Sequence, residues 1–292
     1  MDILTILLLS IGLLSTASFS FLLRDLYKHR GLIKNDPGKS VLQAITAFFI
    51  YFFATFGVSD FALATVIYNK AKWVGAKKLP GTLNVQCLAP TALMALSYMS
   101  SVDIEISTLL PCMAAQMIGA YIGPHFTVRI NANVLKKILA SSLLVAGFFI
   151  IASKFGLWGV GGDDIGLRGF RLALMTICFL ILGILRAVGV GTYAPAMALV
   201  YLFGLNPIVA YPLMTASSTF ATVAACIQFI RLDSYSRRVT LFASSFGLVG
   251  VVTAVFLVKN INIALLQWIV AVVIIFTSFD MLLRKRPITE SV

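Results

Sequence analysis

Apolar segments of about the length needed to cross a membrane recur along the whole chain. A transmembrane helix needs about 20 apolar residues. Of the 292 residues, 60% are hydrophobic and only 12% are charged, whereas soluble domains average about 25% charged residues. The sequence therefore predicts an all-helical, polytopic membrane protein without a large extramembrane domain. The candidate spanning segments are 3–23, 41–56, 81–100, 107–124, 138–153, 170–187, 208–230, 239–258 and 261–283.

Two shorter apolar segments, 60–69 and 192–204, each follow a longer one after a break that contains glycine. The first break lies at Gly57, and the second at Gly189 and Gly191. Glycine costs about 1 kcal/mol relative to alanine inside a helix. We therefore expect each helix to end at its break and the chain to turn back. Each pair of segments is predicted to form a re-entrant helix hairpin.

The second half of the chain resembles the first at an offset of 132 residues around the breaks and of 131 further along, where Gly119 corresponds to Gly250. Gly57 corresponds to Gly189, and Pro80 corresponds to Pro212. Interrupted hydrophobic segments at matching places in two halves are a sequence pointer to a transporter's binding site. The prediction has four parts: an N-terminal transmembrane helix with a basic cytoplasmic loop (1–40), repeat one (41–154), repeat two (170–283) and a cytoplasmic tail (284–292).

Basic residues predict the orientation of these repeats, because lysine and arginine favour cytoplasmic loops. If 41–69 returns to the side on which it began, 18 of the 23 basic residues fall on that side. If 41–69 crosses once, two basic clusters move to the other side. The rule therefore predicts inverted repeats, an N-terminus outside and a cytoplasmic C-terminus, with the first helix as an extra element. The net charge of +12 then reflects topology, and no nucleic-acid partner is expected.

Two charged residues, Asp60 and Arg186, lie beside the breaks in apolar surroundings. A charge near the bilayer centre costs about 2.5–3.5 kcal/mol, so such residues usually face a polar cavity or each other. We interpret Arg186 as the counter-charge of an anionic substrate and Asp60 as the proton-coupling group. A buried Asp60–Arg186 ion pair that joins the two repeats explains the same residues equally well.

Small and neutral polar residues accompany these charges, and backbone N–H groups where a helix begins attract small anions. Close helix packing and interhelical hydrogen bonds explain each of these residues singly, but their symmetric grouping favours an oxyanion site. Gln116 and Tyr193 are weaker candidates, and Cys87 is more simply a packing residue than a thiol with a role. The predicted substrate-binding residues are Gly57, Ser59, Asp60, Thr82, Asn84, Gln86, Arg186, Gly189, Gly191, Thr192, Tyr193, Ser217 and Ser218.

Signatures of enzymes and cofactor sites are lacking. The sequence contains no H-E-x-x-H, G-x-S-x-G or Walker A motif and no metal-ligand spacing. The four cysteines stand singly, which argues against a redox pair or a zinc site. We expect no catalytic residues, no cofactor and no metal, and transport that depends on gradients.

Several stretches around the breaks carry a resemblance to a known family. They are 57–61 (Gly-Val-Ser-Asp-Phe), 80–84 (Pro-Gly-Thr-Leu-Asn), 117–123 (Met-Ile-Gly-Ala-Tyr-Ile-Gly) and 189–195 (Gly-Val-Gly-Thr-Tyr-Ala-Pro). Here the chain resembles the TauE/SafE family of sulfite exporters over residues 41 to 283. The family's longer glycine run is reduced to one glycine in the first break, and Asp60 stands where a small residue is commoner. The resemblance implies two related halves and transport of sulfite or organosulfonates.

We therefore expect a secondary transporter in the cell membrane that moves a small anion, with protons, by alternating access. A sulfur oxyanion or an organosulfonate is the expected substrate. Two alternatives stay open: a carrier of another solute, such as a carboxylate or amino acid, and a non-transporting membrane scaffold. The lipid bilayer is the other expected partner, and assembly of several copies is left open.

Overall fold

The computed structural model describes residues 3–33, 36–99, 104–131 and 162–257, together with single positions between 133 and 152. Within these ranges the chain forms helices and no strand, with one isolated bridge between Asp164 and Leu205. The prediction of an all-helical membrane protein is therefore confirmed. The predicted segment 261–283, most of 138–153 and the tail 284–292 lie outside the described residues.

The described helices follow the predicted apolar segments closely. The helices are α1 (Ile3–Lys28), α2 (Arg30–Ile33), α3 (Ser40–Ala54), α4 (Asp60–Ala71), α5 (Leu79–Gln86), α6 (Leu88–Met99), α7 (Ile106–Thr127), α8 (Gly169–Ala187), α9 (Tyr193–Leu202), α10 (Ala210–Arg231) and α11 (Arg237–Leu257). Five of them, α1, α7, α8, α10 and α11, are long and apolar enough to cross a membrane. A short 3-10 helix precedes α10.

Both predicted breaks are present, and they share one backbone structure. Gly57 and Gly189 have φ angles of +84° and +99°, a left-handed conformation that favours glycine and that commonly ends helices. The same three N–H to carbonyl hydrogen bonds end α3 and α8, at positions that correspond under the offset found in the sequence. They are Phe56 to Phe53, Gly57 to Ala54 and Val58 to Phe53 in the first break, and Val188 to Leu185, Gly189 to Arg186 and Val190 to Leu185 in the second.

Each pair of helices around a break turns back to the end at which it began. Gly38, just before α3, packs on Trp73, just after α4, so closely that an added Cβ atom would lie 3.0 Å from the Trp73 ring. In the second pair, a Cβ atom on Gly162 would lie 2.1 Å from the Gly204 carbonyl oxygen. In each of the pairs α3–α4 and α8–α9, the chain before the first helix therefore lies close to the chain after the second.

Close glycine contacts pack the first helix of each hairpin against a helix from the other half. A Cβ atom on Gly250 of α11 would lie 2.3 Å from the Phe48 carbonyl oxygen of α3. A Cβ atom on Gly119 of α7 would lie 2.2 Å from the Leu180 carbonyl oxygen of α8. Phe48 and Leu180 correspond under the same offset as Gly57 and Gly189. The two interfaces are thus built alike, with the halves exchanged.

We expect the Gly250→Ala variant to lose stability. Its methyl group would overlap the α3 backbone, which cannot move away as a flexible side chain can, and overpacking typically costs about 1–3 kcal/mol. The matched control is Gly12→Ala in α1, where an added Cβ atom meets nothing within 4 Å. Thermal unfolding in detergent should show a lowered midpoint for Gly250→Ala alone. Equal midpoints for the two variants would contradict this close contact.

Ion pairs and hydrogen bonds join helix ends to one another at two opposite ends of the bundle. The starts of α3 and α11 meet because Arg238 Nη2 donates to Ser40 Oγ at 3.0 Å. The end of α1 joins them through Arg237 Nε and Asp25 Oδ2, 2.9 Å apart. We call this the basic end; its cations include Arg24, Lys28, Lys39, Lys72, Lys77, Arg237 and Arg238.

The opposite end of the bundle holds the starts of α7 and α8. There Arg168 Nη2 pairs with Glu105 Oε1 at 3.1 Å, and the Asn206 N–H donates to the Asp164 carbonyl oxygen at 2.8 Å. Near it, Leu7 of α1 packs in one apolar cluster with Leu109. Because α1 ends at the basic end, it runs between the two ends.

One predicted segment, 81–100, differs from the structure. It forms two helices, α5 and α6, which meet at Cys87. Pro90 has no N–H group to donate to the carbonyl of Gln86 one turn earlier. That carbonyl instead accepts a hydrogen bond from Ser244 Oγ at 3.3 Å. The proline thus interrupts the helix beside the buried polar residues described next.

Candidate functional site

A cluster of polar side chains is buried where the two helix breaks meet. Gly191 of the second break packs directly on Ser59 of the first, since a Cβ atom at Gly191 would lie 2.2 Å from Ser59 Oγ. Asp60 and Arg186, from the two breaks, are only 3% and 1% exposed. The structure therefore brings together the two charged residues that the sequence predicted for a site. We call Asp60 and Arg186, together with the buried side chains around them that are described next, the central cluster.

Uncharged groups hold the Arg186 guanidinium. Nη2 donates to Thr222 Oγ1 at 2.6 Å and to Cys87 Sγ at 3.1 Å. The guanidinium carbon also lies 4.6 Å from the centroid of the Phe61 ring, a cation–π distance. Among the described residues, Nε has no hydrogen-bond partner. Arg186 is therefore a buried cation with a free donor and no bonded counter-ion in the described structure.

Asp60 opens α4 and lies within electrostatic range of Arg186. The ion pairs of the described residues include none between these two side chains. Asp60 Oδ2 is buried and has no hydrogen-bond partner there. The direct Asp60–Arg186 ion pair that the sequence left open is thus absent from the described structure. Both charges keep atoms available to another group.

Four hydroxyl groups add to the cluster. Tyr51 of α3 and Tyr193 of α9 are buried, and each lies within electrostatic range of Asp60 and Arg186. Their hydroxyls have no hydrogen-bond partner among the described residues, nor do Thr192 Oγ1, beside Tyr193, and Ser218 Oγ of α10. Buried polar atoms without partners are uncommon in proteins. Together with Arg186, these donors suit a small anion with several oxygen atoms.

Asn84 connects the cluster to α5. Its Nδ2 donates to the Arg186 carbonyl oxygen at 3.0 Å and to the Pro80 carbonyl oxygen at 2.9 Å, while its Oδ1 has no partner among the described residues. Ser59 begins α4 as an N-cap, because its Oγ accepts the Ala62 N–H at 3.3 Å. Both side chains hold the two breaks in place.

Three other predicted residues are engaged elsewhere. Thr82 Oγ1 donates to the Lys78 carbonyl oxygen at 2.8 Å and lies towards the basic end. Ser217 Oγ donates within its own helix, to the Leu213 carbonyl oxygen at 2.5 Å. Gln86 Oε1 accepts the Tyr68 hydroxyl at 2.7 Å, while its Nε2 has no partner among the described residues. For Thr82 and Ser217 the structure thus supports structural hydrogen bonding.

Sequence reasoning missed Tyr51, Phe61 and Thr222. Thr222 could have been found, because it lies one helical turn after Ser218 and so shares a face of α10 with it. Tyr51 and Phe61 carry no such signal, since each is one aromatic residue among many in apolar segments. Among the described residues, no group of three or more histidine, cysteine, aspartate or glutamate side chains could hold a metal ion.

Comparison with known proteins identifies the family. A family model described as "Sulfite exporter TauE/SafE" matches residues 2–150, which is just over half of the chain. The match includes Tyr51, Asp60 and Cys87 of the central cluster. A search of curated proteins gives no match. On the family match, this chain belongs to the sulfite exporter TauE/SafE family of membrane proteins.

Proposed function

We propose that this chain is a secondary transporter that carries a small anion across the cell membrane by alternating access. The proposed substrate is a sulfur oxyanion such as sulfite, or an organosulfonate. Its family is a family of membrane transporters for sulfite and related sulfur compounds. The observation that carries the proposal is the buried Arg186 guanidinium, which is held by neutral groups and lies within electrostatic range of the unpartnered hydroxyls of Tyr51 and Tyr193.

The chemistry of the central cluster supports an oxyanion substrate. Arg186 supplies the positive charge, and its free Nε–H group can donate to an anion oxygen. The hydroxyls of Tyr51, Tyr193, Thr192 and Ser218 can donate to the remaining oxygens, as a sulfite or sulfonate group requires. None of these donors has a partner in the described structure. An anion could therefore bind to them without breaking an existing hydrogen bond.

Asp60 is the proposed proton-coupling group. A buried carboxylate without a bonded counter-ion is unfavourable, and protonation removes its charge. If Asp60 is protonated, Arg186 is the single charge that faces an arriving anion. The charges of Arg186 and of the anion would then neutralise each other. Binding of the anion would therefore favour a proton on Asp60. This coupling is the physical basis for moving an anion together with a proton.

The arrangement of the helices supports alternating access by two inverted repeats. The two breaks correspond at an offset of 132 residues, and the contact glycines Gly119 of α7 and Gly250 of α11 correspond at 131. In many transporters the site lies between such repeats, at the ends of broken helices. The concentration of lysine and arginine at the basic end supports a cytoplasmic position for it. The N-terminus would then lie outside, and the C-terminus in the cytoplasm.

Counterflow in proteoliposomes tests the proposed function. Vesicles that contain the purified protein and unlabelled sulfite should take up labelled sulfite faster than protein-free vesicles. Sulfate, thiosulfate, taurine, sulfoacetate and acetate serve as competitors, and their order defines the substrate class. Stronger competition by acetate than by the sulfur-containing anions would indicate a carboxylate carrier. No exchange of any of these anions by folded protein would contradict anion transport and favour the scaffold alternative.

A further inference from the structure

A groove between α3 and α11 opens on the outer surface of the helix bundle, away from the central cluster. It encloses about 510 Å³. Its lining is apolar apart from one hydroxyl, and it includes four phenylalanine rings. The lining residues are Ser40, Val41, Ala44, Ile45, Phe48, Phe49, Phe242 and Phe246. Several of these side chains are exposed, with Val41 at 72% and Ile45 at 50%.

The groove has one polar end, and that end carries positive charge. Ser40 is its only polar lining residue, and Ser40 Oγ accepts a hydrogen bond from Arg238 Nη2 at 3.0 Å. Arg238 lies one helical turn before Phe242, and the exposed Lys39 precedes Ser40. The other polar partner of the Arg238 guanidinium is the Asp36 carbonyl oxygen, at 2.9 Å. Arg238 and Lys39 thus lie at the mouth of an otherwise apolar groove. The Asp36 carboxylate lies there too, since its Oδ2 accepts the Arg238 backbone N–H at 3.1 Å, and the three charges together remain net positive.

We propose that this groove binds an anionic phospholipid, with an acyl chain in the apolar part and the phosphate beside Arg238 and Lys39. The groove complements such a lipid because its lining is apolar and its polar end is positively charged. Basic pockets between transmembrane helices are known to bind anionic headgroups. The groove lies on α3 and α11, the two helices that the Gly250 contact joins. The lipid would therefore bridge the outer edges of both halves of the protein.

Binding of defined lipids to the purified protein tests this site. Native mass spectrometry and thermal unfolding should compare phosphatidylglycerol with phosphatidylcholine that carries the same acyl chains. The unaltered protein should bind phosphatidylglycerol more tightly and be stabilised more by it. A basic residue near an anionic lipid surface contributes about 1 kcal/mol. Arg238→Gln and Lys39→Gln should therefore each weaken phosphatidylglycerol binding by about five-fold.

A second pair of variants separates the groove from general surface effects. Ala44→Leu fills the groove and should lower the affinity for both lipids at this site. Ala173→Leu on the exposed surface of α8 is its control, and Arg171→Gln at the opposite end of the bundle is the control for charge. Both variants should bind the lipids as the unaltered protein does.

Equal binding of the two lipids to the unaltered protein would overturn the proposal. So would unchanged binding in Ala44→Leu, or a change in oligomer size in that variant, which would indicate a second copy in the groove. Lipid binding is measured without transport, so it is tested separately from the proposed function.

Discussion

Replacement of Arg186 by glutamine is expected to abolish anion transport and to weaken anion binding by about 30-fold or more. Arg186 is the buried cation of the central cluster, and no bonded counter-ion neutralises it within the described structure. Removal of one partner of a buried, hydrogen-bonded charge pair typically costs about 2–5 kcal/mol. The lower figure corresponds to about 30-fold in affinity. Counterflow and a direct binding measurement on the detergent-purified variant provide the two readouts.

The Arg186→Lys variant distinguishes charge from geometry. Lysine keeps the positive charge but lacks the planar fork of donors that contacts Thr222 and Cys87 and leaves Nε free. We therefore expect Arg186→Lys to bind the anion more weakly than the unaltered protein but better than Arg186→Gln. Equal loss in both variants would mean that the orientation of the guanidinium matters more than its charge.

Arg171→Gln is the matched control, because it removes an exposed arginine from the same helix. It should retain transport and affinity. A structural role for Arg186 predicts a different pattern: Arg186→Gln would lower the unfolding midpoint, while protein that remains folded would bind the anion with unchanged affinity. That result would remove Arg186 from the binding site.

The features that the sequence predicted correctly have local physical causes. Gly57 and Gly189 were identifiable as helix ends because glycine adopts the left-handed conformation found at helix ends more readily than other residues do. Asp60 and Arg186 were identifiable because charge in an apolar segment is costly wherever the segment lies. Their surroundings depend on packing between distant segments. Arg186 contacts Cys87 and Thr222, which are 99 and 36 residues away, and no local pattern predicts such contacts.

One wrong prediction and one alternative that the sequence left open depend on contacts between distant segments. The helix predicted at 81–100 is divided at Cys87, although Pro90 was visible in the sequence. A proline can be accommodated when the freed carbonyl finds another donor, and here that donor is Ser244, on α11. The direct Asp60–Arg186 pair was a plausible alternative for two buried charges. In the structure, Arg186 is held instead by Cys87, Thr222 and the Phe61 ring.

Replacement of Asp60 by asparagine is expected to separate anion exchange from the proton gradient. Asparagine has nearly the same shape as a protonated aspartate but cannot release a proton. We expect Asp60→Asn to retain counterflow, in which the anion exchanges without net proton movement. Uphill accumulation driven by a pH gradient should be lost. An organosulfonate is the better substrate here, because its own charge does not change near neutral pH, whereas that of sulfite does.

Two variants control this experiment, and each possible result bears on the proposed role of Asp60. Asp163→Asn removes an exposed carboxylate at the end opposite the basic end and should keep both activities. Asp60→Glu keeps a titratable group and should recover part of the gradient-driven accumulation, because coupling needs the proton more than the exact position of the carboxyl group. Full accumulation by Asp60→Asn would show that Asp60 does not carry the coupled proton. Loss of counterflow as well would place Asp60 in anion binding or in the packing of the two breaks.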